Sequence, residues 1–503
     1  MPAVFTHEFN TPVYKGKVSF NTGLFINGQF VDGSDGTTID VINPTDGKVT
    51  TSISEGTQKD VDLAVDAAEK AFETTWGLNC PGNKRGLLLS KLASLMEEHA
   101  DELAALEALD NGKAFNAARG KDVPGAIACI RYFAGWADKI SGRVIETTEE
   151  RFTYTRHEPI GVVGQIIPWN FPLLMFTWKI APALATGNTV VLKPSEFTPL
   201  TAIRMCHLAK EAGFPPGILN VVTGYGNTVG SAISSHMRIH KVAFTGSTLV
   251  GRKIMEAAAK SNLKNVTLEL GGKSPNIIFN DADLEQAVHW AMLGIFLNQG
   301  QSCLAGSRIF VQEGIYDEFL KRFTDKSRSI KVGDPFAPDT FQGPQVSKIQ
   351  YDRIMGYIDS GKKDGARIHI GGERHGSEGY FIQPTIFLDT HPDMRIVKEE
   401  IFGPVSVVIK FKDEEDIVRQ ANDTVYGLAA AVFTKDVNRA ITTAHKLKAG
   451  TVWVNCYGLS NPNVPFGGYK QSGIGREMGE YALANYTEVK AVNVNLGLKI
   501  MSN

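Results

Sequence analysis

With 503 residues, 43% of them hydrophobic and 21% charged, and a net charge of −2, the chain has material for more than one core at roughly 100–200 residues per domain. It carries neither the basic surplus of a nucleic-acid binder nor an acidic tail. Its five cysteines, Cys80, Cys129, Cys206, Cys303 and Cys456, are odd in number, widely spaced and form no C-x-x-C pair, which argues against a disulfide framework or a metal site and fits a reducing compartment. No apolar run reaches the roughly 18 residues of a membrane span, and the start matches neither a secretory nor a transit signal, so a soluble, cytoplasmic protein is expected.

In chain order, the polar stretch before Gly23 is expected to be mobile. Residues 23–42 hold short β-type runs broken by the turn signals Asn27-Gly28 and Asp32-Gly33. Thr57-x-x-Asp60 resembles a capping box ahead of Val61, Val65, Ala68 and Phe72 at helical spacing. A second helix is predicted over about 85–109, ending at Asp110-Asn111-Gly112. From residue 161 strands and helices alternate, with strands at 161–167, 189–192, 218–223 and 241–245 and helices at 200–212, 228–235 and 250–259. The same texture resumes after Pro275, with strands at 276–279, 307–312, 429–434 and 451–455. Units of this length predict parallel strands with crossover helices, and short apolar runs without polar alternation fit strands buried on both faces. The alternating region is too long for one core, so two α/β domains are expected to meet near 269–275.

Five stretches carry chemistry. The predicted strand 241–245 runs into Gly246-Ser247-Thr248-Leu249-Val250-Gly251 and a helix; a glycine turn at a helix N-terminus offers free N–H groups to a pyrophosphate, although such turns are common and this is not a full G-x-G-x-x-G. Lys193-Pro194-Ser195-Glu196 follows a strand. A lysine and a carboxylate there suit ribose hydroxyls, and the carboxylate would repel a 2′-phosphate and favour NAD over NADP; the alternative is a solvated pair in a loop. In Pro168-Trp169-Asn170-Phe171-Pro172 two prolines stiffen the backbone around an asparagine amide suited to hold an oxyanion. Glu269, in Leu268-Glu269-Leu270-Gly271-Gly272-Lys273, ends an apolar strand, where burial would raise its pKa and make it a usable base; otherwise it is an exposed strand-end carboxylate. Asn298-Gln299-Gly300-Gln301-Ser302-Cys303-Leu304-Ala305-Gly306 joins a predicted helix at 284–297 to a strand. A cysteine exposed on such a connection is a candidate nucleophile, and the alternative is a buried, inert thiol.

Together with Phe244-Thr245-Gly246-Ser247, Glu399-Glu400-Ile401-Phe402-Gly403-Pro404 and Pro465-Phe466-Gly467-Gly468-Tyr469-Lys470, these segments resemble, in order and over nearly the whole chain, the motifs of the aldehyde dehydrogenase superfamily. The likeness is greatest to soluble, broad-specificity NAD-dependent members of the acetaldehyde and retinal type. The resemblance implies an α/β fold of two Rossmann-like parallel-sheet domains with a small bridging β oligomerisation element. Its parts would be an NAD-binding domain at 1–140 and 160–271, a catalytic domain at 272–473, and the bridging element at 141–159 and 474–503. It implies oxidation of aldehydes to carboxylic acids with NAD, no metal, and a homo-oligomer, a tetramer ahead of a dimer.

Carried over residue by residue, Cys303 is the nucleophile, Asn170 and the Cys303 N–H hold the oxyanion, and Glu269 is the base, with Glu477 a second acid ranked below it. The coenzyme would meet Ile166, Trp169, Lys179, Lys193, Glu196, Gly226, Gly230, Phe244, Gly246, Ser247, Thr248, Val250, Gly251, Leu270, Gln350, Glu400 and Phe402. Of these, Glu400 and Lys179 would position the nicotinamide ribose, Gln350 would assist on that side and Phe402 would flank the ring. A substrate tunnel of Phe171, Met175, Trp178, Phe296, Leu297 and Phe466 favours uncharged aldehydes. Tyr457-Gly458-Leu459-Ser460-Asn461 departs from members with a bulky aromatic there, and its small residues would widen the entrance. The rival readings are a semialdehyde dehydrogenase that acylates coenzyme A, against which Glu269 argues, and a silent structural or binding protein on the same scaffold.

Overall fold

The alternation from residue 161 onward builds an eight-stranded sheet in the computed structural model, which describes residues 2–499. Its order is Gly473–Ile474, Asn265–Glu269, Lys241–Thr245, Val162–Ile166, Thr189–Lys193, Leu219–Val221, Leu24–Ile26 and Gln29–Val31. The middle five strands are parallel. Val162–Ile166, Thr189–Lys193 and Lys241–Thr245 are buried at every position, which is why their sequences lack polar alternation. Leu24–Ile26 and Gln29–Val31 form the hairpin signalled by Asn27-Gly28, both at positive φ (50° and 73°), the backbone that a two-residue hairpin turn requires. Register brings Lys193 and Phe244 each opposite Ile166, and Thr245 opposite Glu269, so four of the motif segments end at one edge of the sheet.

A second sheet has seven strands in the order Arg367–Ile370, Thr385–Leu388, Val405–Phe411, Arg308–Gln312, Pro275–Ile278, Ala429–Phe433 and Thr451–Val454. All pairings are parallel except that of the edge strand Arg367–Ile370. The third sheet is antiparallel. Thr487–Asn495 pairs with Arg151–Pro159 over nine residues, and Val144–Thr148 flanks the latter. The two-residue strand Gly473–Ile474 pairs antiparallel with Asn265–Glu269. The expected boundary at 473/474 therefore cuts an edge strand of the first sheet.

Three local expectations change. The stretch before Gly23 is an antiparallel hairpin, Val4–Asn10 with Lys15–Asn21. Phe5, Phe9, Val18 and Phe20 alternate with polar residues and bury one face, so a polar average concealed a period of two. The helix predicted over 85–109 is two helices, Gly82–Glu98 and Ala100–Asn111, broken at His99, whose ψ of 20° is not helical. The second ends on Gly112 at φ 81°, a left-handed stop that glycine adopts without strain. The helix predicted over 228–235 begins instead as a π-helical turn, Gly226–Gly230, followed by Ser231–Ser235. The capping box does form, with the Thr57 N–H donating to Asp60 Oδ2 at 2.8 Å. Among the described residues no helix is long and apolar enough to cross a membrane, and no cluster of His, Cys, Asp or Glu is arranged to hold a metal ion.

Candidate active site

A cavity of about 470 Å³ opens where the strand ends of the first sheet face loops of the second, and Cys303, Glu269 and Asn170 all line it. The route to Cys303 explains the amide-rich sequence before it. After helix Leu284–Phe296, Asn298, Gln299 and Gly300 all take positive φ (51°, 58° and 71°), a strained run for two non-glycine residues that persists because its side chains are pinned. Gln299 Nε2 donates to the carbonyls of Gly112 and Pro344, both at 3.1 Å, Asn298 Nδ2 donates to Asn170 O at 2.9 Å, and Gln301 Oε1 accepts the Val346 N–H at 2.9 Å. The glycine pair after Glu269 makes room for two neighbours: a Cβ on Gly271 would lie 2.3 Å from Glu400 Oε2, and one on Gly272 would lie 2.4 Å from the Cys303 carbonyl.

Burial sets the electrostatics. It pushes the Cys303 thiol up to about 12, with the Glu400 and Glu269 carboxylates adding to it and the backbone N–H groups of Cys303 and Leu304 opposing it. The resting group is a thiol that needs a base. Burial also lifts Glu269 to about 8, against the pull of Lys179 and Arg476. Neither Glu269 oxygen has a hydrogen-bond partner among the described residues, so the carboxylate form is favoured there only by the charges of Lys179 and Arg476. Glu400 is raised to about 7 by burial and accepts the Gly272 N–H at 2.8 Å. Asn170 Nδ2 donates one hydrogen to the Gln301 carbonyl at 3.0 Å, which orients the amide and leaves its second N–H for the cavity.

The expected coenzyme residues divide. Trp169, Gly246, Ser247, Leu270, Gln350, Glu400 and Phe402 line the cavity; Ile166, Lys193, Glu196, Gly226, Gly230, Phe244, Thr248, Val250 and Gly251 lie outside its lining. Lys193 Nζ meets Glu196 Oε2 at 3.2 Å, so the two form a pair. Ser247 caps helix Thr248–Lys260 by accepting the Val250 N–H at 3.3 Å, and a Cβ on Gly251 would press within 2.7 Å of Leu270, which keeps that helix start close to the sheet. The Trp169 and Phe402 rings meet edge to face at 5.2 Å. Lys179 is outside the lining but next to it: its wholly buried ammonium donates to Thr245 Oγ1 at 2.7 Å and pairs with Glu477, and both of those residues line the cavity.

The tunnel residues also divide. Phe171, Met175, Trp178, Leu297 and Phe466 line the cavity, with Trp178 edge-on to Phe466 at 5.3 Å. Phe296 does not; fully buried and stacked on Phe323 at 6.2 Å, it belongs to the core of the second sheet. Sequence reasoning missed Leu174, Trp290, Leu293 and Trp453. Helical spacing held a signal, since Trp290, Leu293 and Leu297 fall at i, i+3 and i+7, while Phe296 is turned by about 100° from Leu297 to the flank of that stripe. At the segment 457–461, Gly458 takes φ 68° with open space where a Cβ would lie, but Leu459 fills part of the lining and its carbonyl accepts from Trp453 Nε1 at 2.9 Å.

The model of the aldehyde dehydrogenase family matches residues 30–492. The chain belongs to the aldehyde dehydrogenase family. It is 70% identical to an aldehyde dehydrogenase of Agaricus bisporus, over 99% of this chain and all of the relative, and 54% identical to aldehyde dehydrogenase 1A1 of Gallus gallus over 99% and 98%. Its fold superposes on the NAD+ complex of a Bacillus cereus aldehyde dehydrogenase with a TM-score of 0.94 at 51% identity, covering 95% of this chain and 97% of that one.

Within this family member, the split among the tunnel residues makes a prediction. Phe296→Ala should lower unfolding free energy by about 3–5 kcal/mol, the usual cost of emptying a core aromatic site, and leave the ranking of aldehydes by kcat/KM unchanged. Trp178→Ala should do the reverse, favouring bulkier aldehydes with a smaller loss of stability. Denaturant titration beside kinetics on short and long aldehydes separates the two; a changed ranking in Phe296→Ala would return that residue to the tunnel.

Proposed function

We propose that the protein oxidises uncharged aliphatic and aromatic aldehydes to carboxylic acids with NAD, through a thiohemiacetal and then a thioester on Cys303. The observation that carries this reading is the convergence of Cys303, an unpartnered Glu269 and a restrained Asn170 amide on one cavity walled by Phe171, Met175, Trp178, Trp290, Leu293 and Phe466. Glu269, through a water molecule, takes the thiol proton, and the Cys303 sulfur attacks the carbonyl carbon. The oxyanion accepts from the free Asn170 N–H and the Cys303 backbone N–H, a type of contact in which one donor contributes about 3–4 kcal/mol. Glu269 gives up the thiol proton to solvent before hydrolysis; ionised again, it deprotonates the water that cleaves the thioester, and that proton passes to the departing Cys303 sulfur as the acid leaves.

The residues present suit NAD. The Lys193–Glu196 pair would hydrogen-bond ribose hydroxyls, the capped helix start at Ser247 would receive a phosphate, and Glu400 with the Trp169–Phe402 rings would hold the nicotinamide end. When bound, NAD supplies the acceptor for the hydride that leaves the thiohemiacetal carbon. The first sheet is then the coenzyme domain and the second the catalytic domain. Val144, Phe152 and Val489 leave apolar surface on the third sheet, which supports a role in joining copies of the chain, a tetramer ahead of a dimer. All five cysteines are unpaired, in keeping with a cytoplasmic location.

The test is NADH absorbance with acetaldehyde, hexanal, benzaldehyde and indole-3-acetaldehyde, offered with NAD or NADP and with or without coenzyme A. Turnover with NAD, weaker with NADP because Glu196 opposes a 2′-phosphate, and indifferent to coenzyme A is the expected result. Acceleration by coenzyme A would reassign the acyl acceptor. Silence with every aldehyde and both coenzymes would sink the catalytic reading.

A further inference from the structure

We propose that Lys113 is the positioning residue for the oxyanion donor, holding the Asn170 backbone from behind so that its amide faces the reacting carbonyl; this rests on the role given to Asn170 above. Lys113 is 2% exposed. Its ammonium donates to Asp122 Oδ2 at 2.5 Å and to the Asn170 carbonyl at 3.2 Å, pairs with Glu107 Oε2 at 3.2 Å, and lies 4.5 Å from the centre of the Phe171 ring. The same Asn170 carbonyl accepts from Asn298 Nδ2 at 2.9 Å, on the loop that carries Cys303. One carbonyl oxygen thus ties the oxyanion donor to the nucleophile's loop and, through Lys113, to the end of helix Ala100–Asn111. Glu107 fixes the other side of the segment, accepting the Leu173 N–H and the Thr201 hydroxyl, both at 3.0 Å.

Stability alone does not account for such a cluster. Three charges taken out of water cost several kcal/mol each to desolvate, and apolar residues of similar size commonly stabilise a core as well or better. What the network supplies is orientation: a donor fixed on both sides before substrate arrives spends nothing on reorganisation in the transition state. Asp122 lines the cavity wall beside Phe171, so the ammonium that restrains Asn170 also braces the substrate side.

Lys113→Met alone leaves buried carboxylates without their partner and is prone to fail in folding, so the informative variant is Lys113→Met combined with Asp122→Asn, which removes one charge of each sign. The readouts are the single-turnover rate of NADH formation, the NAD dissociation constant and the melting temperature, in wild-type and Asn170→Ala backgrounds. Asn170→Ala by itself should slow the first turnover about 100- to 1,000-fold; a loss below about 10-fold would reject the oxyanion role of Asn170 irrespective of Lys113. Given that loss, the paired variant should slow the first turnover by about 10- to 100-fold, as small misplacements remote from the chemistry do. NAD affinity should not change, and the loss should largely vanish when Asn170 is already alanine. A wild-type rate in the paired variant, or an undiminished further loss in the Asn170→Ala background, would overturn the assignment.

Discussion

Replacing Cys303 with alanine should reduce aldehyde-dependent NADH formation by about 10⁴-fold or more, because among the described residues no other cysteine lines the cavity and covalent catalysis is lost as a unit. Coenzyme binding should survive. The Lys193–Glu196 pair and the Ser247 cap are set by the first sheet, whereas Cys303 hangs from a loop of the second. Titration of NAD against protein fluorescence should therefore give a dissociation constant within a few-fold of wild type. Four other cysteines provide an internal control: Cys129 and Cys206 are fully buried, with thiols pushed up by burial alone, and neither lines the cavity. Alkylation protected by aldehyde and NAD should map to Cys303. Turnover retained by the alanine variant would move the nucleophile elsewhere and dissolve the thioester mechanism with it.

How far these features were legible depends on whether they lie within one segment. Lys193, Thr245 and Glu269 were readable as a group because parallel strands deliver their C-terminal ends to one edge, a consequence of the βαβ pattern itself. Glu269's shifted titration followed from its immediate neighbours in sequence, Leu268 and Leu270, which are both buried. Lys179 and Phe296 fall outside the cavity lining for a common reason. Each stands one or two residues from a genuine wall residue, and on a helix one residue's step turns the side chain by about 100°. The Lys113 cluster left no local trace, since its partners come from residues 107, 122 and 170 and meet only through tertiary packing. The strands at 367–370 and 385–388 have only four residues each and show little period to read. The two-residue strand at 473–474 is too short to carry any periodicity.

Glu269→Gln should separate the two halves of the reaction. Glutamine keeps the shape but accepts no proton. Once formed, a thiolate is a strong nucleophile, whereas water attacking a thioester stays weak without a base, so acid release should slow more than the first NADH-forming turnover. A burst of NADH close to one per active site, followed by a steady state lower by about 10²- to 10⁴-fold, is the expected trace. In the wild type, steady-state turnover should climb with pH and level off above about 8, where Glu269 is ionised; the variant should lose that limb. Stability gives an independent check with the opposite sign. Because the folded pKa lies above the unfolded one, folding favours the protonated acid, and the contribution present below about 4.5 is lost as pH rises through about 8. The variant should accordingly gain on the wild type across that window and run parallel to it above. Equal slowing of burst and steady state would put Glu269 at the activation of Cys303 alone. A wild-type pH profile in the variant would leave the unpartnered carboxyl at 269 outside the chemistry.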